Sequence, residues 1–423
     1  MINRRTLLVG TAGLAASSVL ASCNRSPNAN PLDVTLLEGT IPPEVLKKFR
    51  QETEEPVQFC PVIQSQQVFQ DLQRWKKKPE KRVRGSRLMP WREQQVVPSA
   101  HDLVGIGDYW LKSAIENQLI MPMTLSDELL APLPFGWQQF VTRDDKGQIA
   151  SAGSGTEKQL WAAPYKVQSL VIVYRYSQAQ KLMPETVEQP FKTWQDLLNP
   201  ALEGQIALPD HPNLVIGLLQ KMQTGSFNTS FDSLANNRSS TAQLVTQLDA
   251  QLATPFAELN AQVKTYDAST ALKALVNEDL QAVVAWSGDV VTALQRYRDL
   301  RAVIPEDGSL LSADMWVQPR SATIDKAKNE AKMSELAKQW IAFCWQEDVA
   351  TQLSAVGRGV SPTFLGEDRL SDLSTLPTAL VGTFEKPWLS PAALQKSEPL
   401  LPLPDAVQAA YFTLWQQLRS TAI

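Results

Sequence analysis

The chain is poor in the residues that most enzymes use for chemistry. It has two histidines, His101 and His211, and three cysteines among 423 residues. No G-x-S-x-G, H-E-x-x-H or C-x-x-C motif is present, and no glycine-rich loop of the kind that cradles phosphates. "AGSGT" (152–156) lacks the strand–turn–helix setting that a nucleophilic serine needs. His211 beside Asp210 has no clustered ligand near it and reads as a loop histidine rather than a metal ligand or catalytic base. Excess positive charge is also missing. The formal net charge of -4 gives no reason to expect a nucleic-acid partner. These absences count against an exported hydrolase and leave no catalytic residue, cofactor or metal site to name.

What is present begins at the N-terminus. "MINRRTLLVGTAGLAASSVLASC" has a basic start, a short apolar run rich in Gly, Ala and Ser, and then Leu20-Ala21-Ser22-Cys23. This is the pattern of a bacterial lipoprotein signal peptide (1–22) closed by a lipobox, with Cys23 as the lipidated residue. The run is too short and too small-sided for a spanning helix. Asn3-Arg4-Arg5-Thr6-Leu7-Leu8 resembles a twin-arginine signal with Leu in the Phe position, so the export route stays open. A polar tether (23–32) leads to a folded body starting near Asp33. Cys60 and Cys344 read as buried small hydrophobes, and an exported location leaves a bridge between them open.

Strand-like and helical runs then alternate: "HDLVGI" precedes "YWLKSAIENQ", "SLVIVYR" precedes "SQAQKLM", "GQIALPD" precedes "NLVIGLLQKM", and "QAVVAW" precedes "DVVTALQRY". The alternation predicts an α/β fold with largely parallel strands. "SELAKQWIAFCW" places Leu336, Trp340, Phe343 and Cys344 on one helical face. Asp405 is positioned to cap a last helix that buries Val407, Tyr411, Leu414 and Leu418. One stretch departs from the pattern. "RWKKKPEKRVRGSRLMPWR" (74–92) is strongly basic, and within an insertion spanning 74–97 it reads either as a solvated surface segment or as a docking patch for an acidic partner or anionic lipid.

"FKTWQDLLNPALEGQIALPDHPNLVIGLL" resembles a segment of the polyamine-type extracellular solute-binding proteins of ABC importers, the spermidine/putrescine-binding class. Their "S-W-x-D-L-W-x-P-x-x-x-G" run leads into a strand and an acidic loop in the same way. "TLLEGTIPPEVLKKFRQET", "DLVGIGDYWLKSAI", "APYKVQSLVIVY", "VAWSGDVV" and "VIPEDGSLLSADMWVQP" resemble further blocks of that family, in the same order. The resemblance implies a two-lobed, periplasmic-binding-protein-like class II fold with a ligand cleft between the lobes. One lobe would hold 33–168 plus 314–367, the other 169–313 plus 368–423.

Carried over residue by residue, Tyr109 and Trp286 fall on aromatic ligand positions, and Asp210 and Asp314 on acids that meet charged nitrogens. Asp289 is read as a cap for the helix after Trp286. The departures are Leu37, Thr40, Asn213, Ser312 and Val360, where that family has aromatic or acidic residues, while Glu38 adds a carboxylate between the first two. With much of the aromatic box replaced, a shorter or singly charged organic cation is expected over spermidine. The implied role is a lipid-anchored, extracytoplasmic (periplasmic) receptor that hands a small polar ligand to an ABC permease with a separate ATPase. The alternative is a non-transport lipoprotein using the same fold for sensing or assembly.

Overall fold

Backbone pairing follows the alternation read from the sequence. The computed structural model describes residues 32–53, 55–63, 65–76, 100–149, 157–183, 190–228, 240–267, 270–320, 333–356, 359–377 and 390–421. The signal peptide, nearly all of the tether including Cys23, and 77–97 of the basic insertion lie outside these residues. Arg74 lies in the last turn of the helix Ser65–Lys76 and pairs with Asp71 at 2.8 Å.

β1 (Leu32–Leu37), β2 (Val57–Val62) and β3 (Leu103–Gly107) run parallel, with β1 in the middle. Three short strands follow, β4 (Ile120–Met121), β5 (Thr142–Arg143) and β6 (Gln159–Leu160); β5 and β6 form a ribbon of their own. β7 (Ala163–Arg175) is thirteen residues long. β8 (Ile206–Leu208), β9 (Val263–Tyr266) and β10 (Ala282–Trp286) make a second parallel set, with β8 in the middle. β11 (Leu300–Val303), β12 (Leu310–Pro319) and β13 (Glu398–Pro399) complete the strands.

The two parallel sets are joined by crossing strands that run antiparallel, a direction the alternation of strands and helices did not predict. β7 pairs with β12 through residues 163–169, and with β10 and β11 through 170–175. β12 in turn pairs with β3. The sheet path is therefore β2-β1-β3-β12-β7-β10-β8-β9. β7 is apolar on both faces because both faces are covered. Leu170, Ile172 and Tyr174 join a core built with the helices Pro212–Thr224, Thr241–Gln262 and Asp405–Thr421, whereas Val171 and Val173 join the core shared with Leu275 and Val290.

The helix Glu335–Trp345, capped by the Ser334 hydroxyl, buries Leu336, Trp340, Phe343 and Cys344 as its periodicity predicts. Trp340 packs edge-on to Phe49 at 4.9 Å and to Trp316 at 5.6 Å, and Trp316 stacks on Tyr165 at 4.4 Å. Cys344 is a buried free thiol, so no bridge joins it to Cys60. The last helix begins at Asp405 and buries Val407, Tyr411, Leu414 and Leu418. Asp289 is not a cap: the helix begins at Ser287, and Asp289 sits inside its first turn, where a carboxylate complements the helix dipole. Among the described residues no helix is long and apolar enough to cross a membrane.

Candidate functional site

Strand ends that deliver loops to one edge create the site, as in other open α/β sheets. β3 ends at Gly107 and turns at once into a short 3-10 segment, Asp108–Trp110. β12 lies beside β3 and brings Ser312 to the same point, where its hydroxyl donates to Asp108 Oδ1 at 2.8 Å. The Tyr109 backbone N–H donates to the same oxygen at 2.9 Å. Burial raises the Asp108 carboxyl to about 6, against the opposing pull of Ser312, Tyr109 and the Arg143 guanidinium.

Arg143 ends β5 and is 2% exposed. Its Nε donates to the Phe140 carbonyl at 2.9 Å and its Nη1 to the Gly147 carbonyl at 3.1 Å. Burial lowers its pKa to about 10, partly offset by Asp108, so the group stays cationic at neutral pH.

From the second set of strands, β8 runs through Pro209-Asp210 to His211, which caps the helix Pro212–Thr224. The His211 ring meets the Tyr109 ring edge-on, with centroids 5.1 Å apart. Burial lowers the His211 pKa, which favours the neutral ring, and among the described residues its buried Nδ1 has no hydrogen-bond partner. Asn213 and Gln408 exchange two amide hydrogen bonds, each of 3.0 Å. Trp286 ends β10 and is partly buried.

These groups line one cavity of about 310 Å³, together with Lys112, Leu214, Leu310, Leu311 and the segment Leu400–Leu403. The volume is at the small end of the range for organic-ligand pockets. Lys112 holds the last segment in place. Its ammonium donates to the Leu403 carbonyl at 3.1 Å, pairs with Glu116 at 3.2 Å, and also meets Asp405.

Tyr109 and Trp286 come together in this cavity, while Glu38, Asp210 and Asp314 are not among the residues that line it. Glu38 is exposed in the turn after β1, where its N–H donates to the Val62 carbonyl at 2.8 Å. Asp210 Oδ1 accepts from Arg419 at 2.7 Å and from the Trp415 indole at 3.3 Å. Asp314 pairs with Lys166 at 2.7 Å. Both carboxylates singled out for a cationic ligand thus already hold a cation of the chain itself. Ser312 and Asn213, which resembled losses, line the cavity; Thr40 bonds back to Leu37, and Val360 pairs with Val167.

Sequence reasoning missed Asp108, Lys112, Arg143, Gln408 and Leu400–Leu403, and it took His211 for an ordinary loop residue. The available signals were an acid directly before Tyr109 and the apolar "LLPLP" ahead of the last helix. His101 lies elsewhere, bonded to Thr35 Oγ1 at 2.5 Å and packed on Trp75. Among the described residues no group of His, Cys, Asp and Glu could hold a metal ion.

A family model described as bacterial extracellular solute-binding protein matches residues 104–381, more than half of the chain. Among solved structures, the chain is similar to the spermidine/putrescine ABC transporter substrate-binding protein PotD of Streptococcus pneumoniae, with 16% identity, a TM-score of 0.67, and coverage of 93% of this chain and 100% of that one. It is also similar to a putative spermidine/putrescine ABC transporter of Listeria monocytogenes, with 19% identity, a TM-score of 0.56, and 93% and 100% coverage. A third similar structure is the Tp0655 lipoprotein of Treponema pallidum, with 14% identity, a TM-score of 0.56, and 92% and 99% coverage. These likenesses establish a shared two-lobed binding-protein fold. No curated protein sequence matches the chain.

Proposed function

The chain belongs to the bacterial extracellular solute-binding proteins, and on that premise we propose that it is a receptor held at the membrane by a lipid on Cys23, capturing one small organic solute for an ABC permease. The lobes meet along β7 and β12, with the division near residues 168 and 313, and the solute sits in the cavity between them. One observation carries the reading: Tyr109 and His211, from opposite sides of the cleft, meet at 5.1 Å between ring centroids and frame, with Trp286, a partly open cavity of ligand size. An apolar lining around a few convergent polar groups is what such a site needs.

The spermidine and putrescine named for the similar structures fit this cavity poorly. A polyamine must leave water with two or more charges, each requiring a carboxylate. Here Asp210 serves Arg419, Asp314 serves Lys166, and Asp108, the one acid among the described residues that line the cavity, faces Arg143. The solute therefore carries at most one unbalanced charge. A thermal-shift screen of polyamines, amino acids, betaines and sugar phosphates tests the reading. A ligand at about 100 times its Kd stabilises the folded chain by about 2.7 kcal/mol. The reading expects at least one small solute to raise the midpoint, and a flat response to every class contradicts it.

A further inference from the structure

The charges and the apolar wall of the cavity define its ligand more narrowly than the fold does. Among the described residues its ionised groups are one carboxylate, Asp108, and two cations, Arg143 and Lys112. Lys112 is committed to Glu116, Asp405 and the Leu403 carbonyl, so its charge is neutralised in place. The two that remain are of opposite sign. Neither is tied to the other by an ion pair within 4 Å, and Arg143 spends two of its N–H groups on backbone carbonyls. His211 adds a buried ring nitrogen that has no partner among the described residues. Asn213 and Gln408 exchange two hydrogen bonds, so each amide oxygen and one N–H of each is already engaged.

Much of the remaining lining is apolar. Four consecutive residues, Leu400 to Leu403, contribute to it together with Leu214 and Leu310. This segment is built in rather than loosely laid over the opening. The Leu401 N–H donates to Asn228 Oδ1 at 2.7 Å, the Asn228 amide donates to the Pro399 carbonyl at 2.8 Å, and Lys112 fixes the far end. An apolar wall held by hydrogen bonds at both ends selects for an apolar body on the ligand, because it offers a hydroxylated body no partners.

Resting on the receptor reading above, the geometry points to a zwitterion with an apolar side chain, a hydrophobic α-amino acid being the simplest case. The ammonium meets Asp108 and the free His211 nitrogen, the carboxylate meets Arg143, and the side chain lies between Trp286 and the Leu400–Leu403 wall. A diamine would strand one charge against Arg143. A sugar phosphate would bring its negative charge to Asp108 and its hydroxyls to the leucines.

Calorimetric titration of the full chain with L-phenylalanine, and with the series L-alanine, L-norvaline and L-norleucine, tests the assignment. Two half-molecules, phenethylamine and 3-phenylpropanoate, and the diamine putrescine complete the panel. One-to-one binding of L-phenylalanine is expected, about tenfold or more tighter than either half-molecule. In the aliphatic series affinity rises roughly fourfold per methylene until the wall is covered. Asp108→Asn should abolish the preference for L-phenylalanine over 3-phenylpropanoate while leaving 3-phenylpropanoate bound, which also reports that the variant is folded. Leu401→Ser should flatten the methylene series. Putrescine binding tighter than every amino acid, or equal affinity for the amino acid and its half-molecules, overturns the assignment. If a cell extract raises the melting midpoint but no zwitterion in the panel binds, the zwitterion assignment alone falls. If neither extract nor panel has any effect, the receptor reading falls with it.

Discussion

Lys166 Nζ lies 2.7 Å from Asp314 Oδ2, with side-chain exposures of 3% and 15%, where β7 and β12 run side by side between the two parallel sets of strands. The pair sits where β12 shifts register after Asp314, so its charges are fixed by the two strands that join those sets. A buried pair of this kind is expensive to break from one side, because the remaining charge has no solvent to return to.

Asp314→Asn should therefore cost stability before it costs binding. The expected loss is about 3–5 kcal/mol in urea unfolding, from the stranded Lys166 ammonium. Replacing both partners, as Lys166→Met with Asp314→Leu, should recover most of it. A loss of solute affinity at unchanged stability would instead return Asp314 to the ligand.

Asp210 presents the opposite case. Its pair with Arg419 is exposed on both sides, at 50% and 39% of side-chain area. Asp210→Asn should change stability by under about 1 kcal/mol and solute affinity by less than about twofold. Calorimetry on this variant with any solute that binds the wild type gives the answer, and a tenfold weakening would contradict the placement.

Asp108 makes the fold sensitive to pH. Its carboxyl is raised by burial to about 6, whereas an unfolded aspartate titrates near 3.9. The native chain thus binds this proton more tightly than the unfolded chain does. The associated stability is fully present below about pH 4 and is lost as pH rises through about 6. Compared with Asp108→Asn, the wild type should lose on the order of 2–3 kcal/mol between pH 4 and 7. Affinity for an ammonium-bearing solute should rise over the same window. Parallel stability profiles for the two proteins would show that Asp108 keeps an ordinary pKa.

On the receptor reading proposed above, anchoring rests on a single sulfur, that of Cys23. Cys23→Ala should move the chain from the membrane fraction to the soluble exported fraction, and labelled fatty acid should appear on the wild type only. A Cys23 sulfur found unmodified, or bridged to Cys60, cannot carry the thioether and would contradict the lipoprotein reading.

How much of this was legible in the sequence depended on how local the cause was. A continuous apolar run marked the strand "QAVVAW", and helical apolar periodicity marked the helix holding Trp340, because burial writes itself into neighbouring residues. Tyr109 and Trp286 were singled out through the family resemblance, and each ends a strand, or the turn just after it, where open sheets expose their ligands. The fate of Asp210 and Asp314 was not legible. Their partners, Arg419 and Lys166, are distant in the chain, and nothing near either acid records that its charge is taken. The same holds for Arg143, His211 and Leu400–Leu403, which become cavity walls only through packing between remote segments. The antiparallel direction of the two strands joining the parallel sets was hidden too, since an apolar run covered on both faces reads the same in either direction.

The central claim is that the space framed by Tyr109, His211 and Trp286 holds one small solute. Native mass spectrometry of the chain released gently from cells tests it directly, with Trp286→Ala alongside. The account predicts one small-molecule adduct per wild-type chain. Trp286→Ala should lose about 1–3 kcal/mol of affinity, and the adduct with it, while unfolding at nearly the same urea concentration. A wild-type chain without any adduct, and without a rise in melting midpoint on adding cell extract, would contradict it.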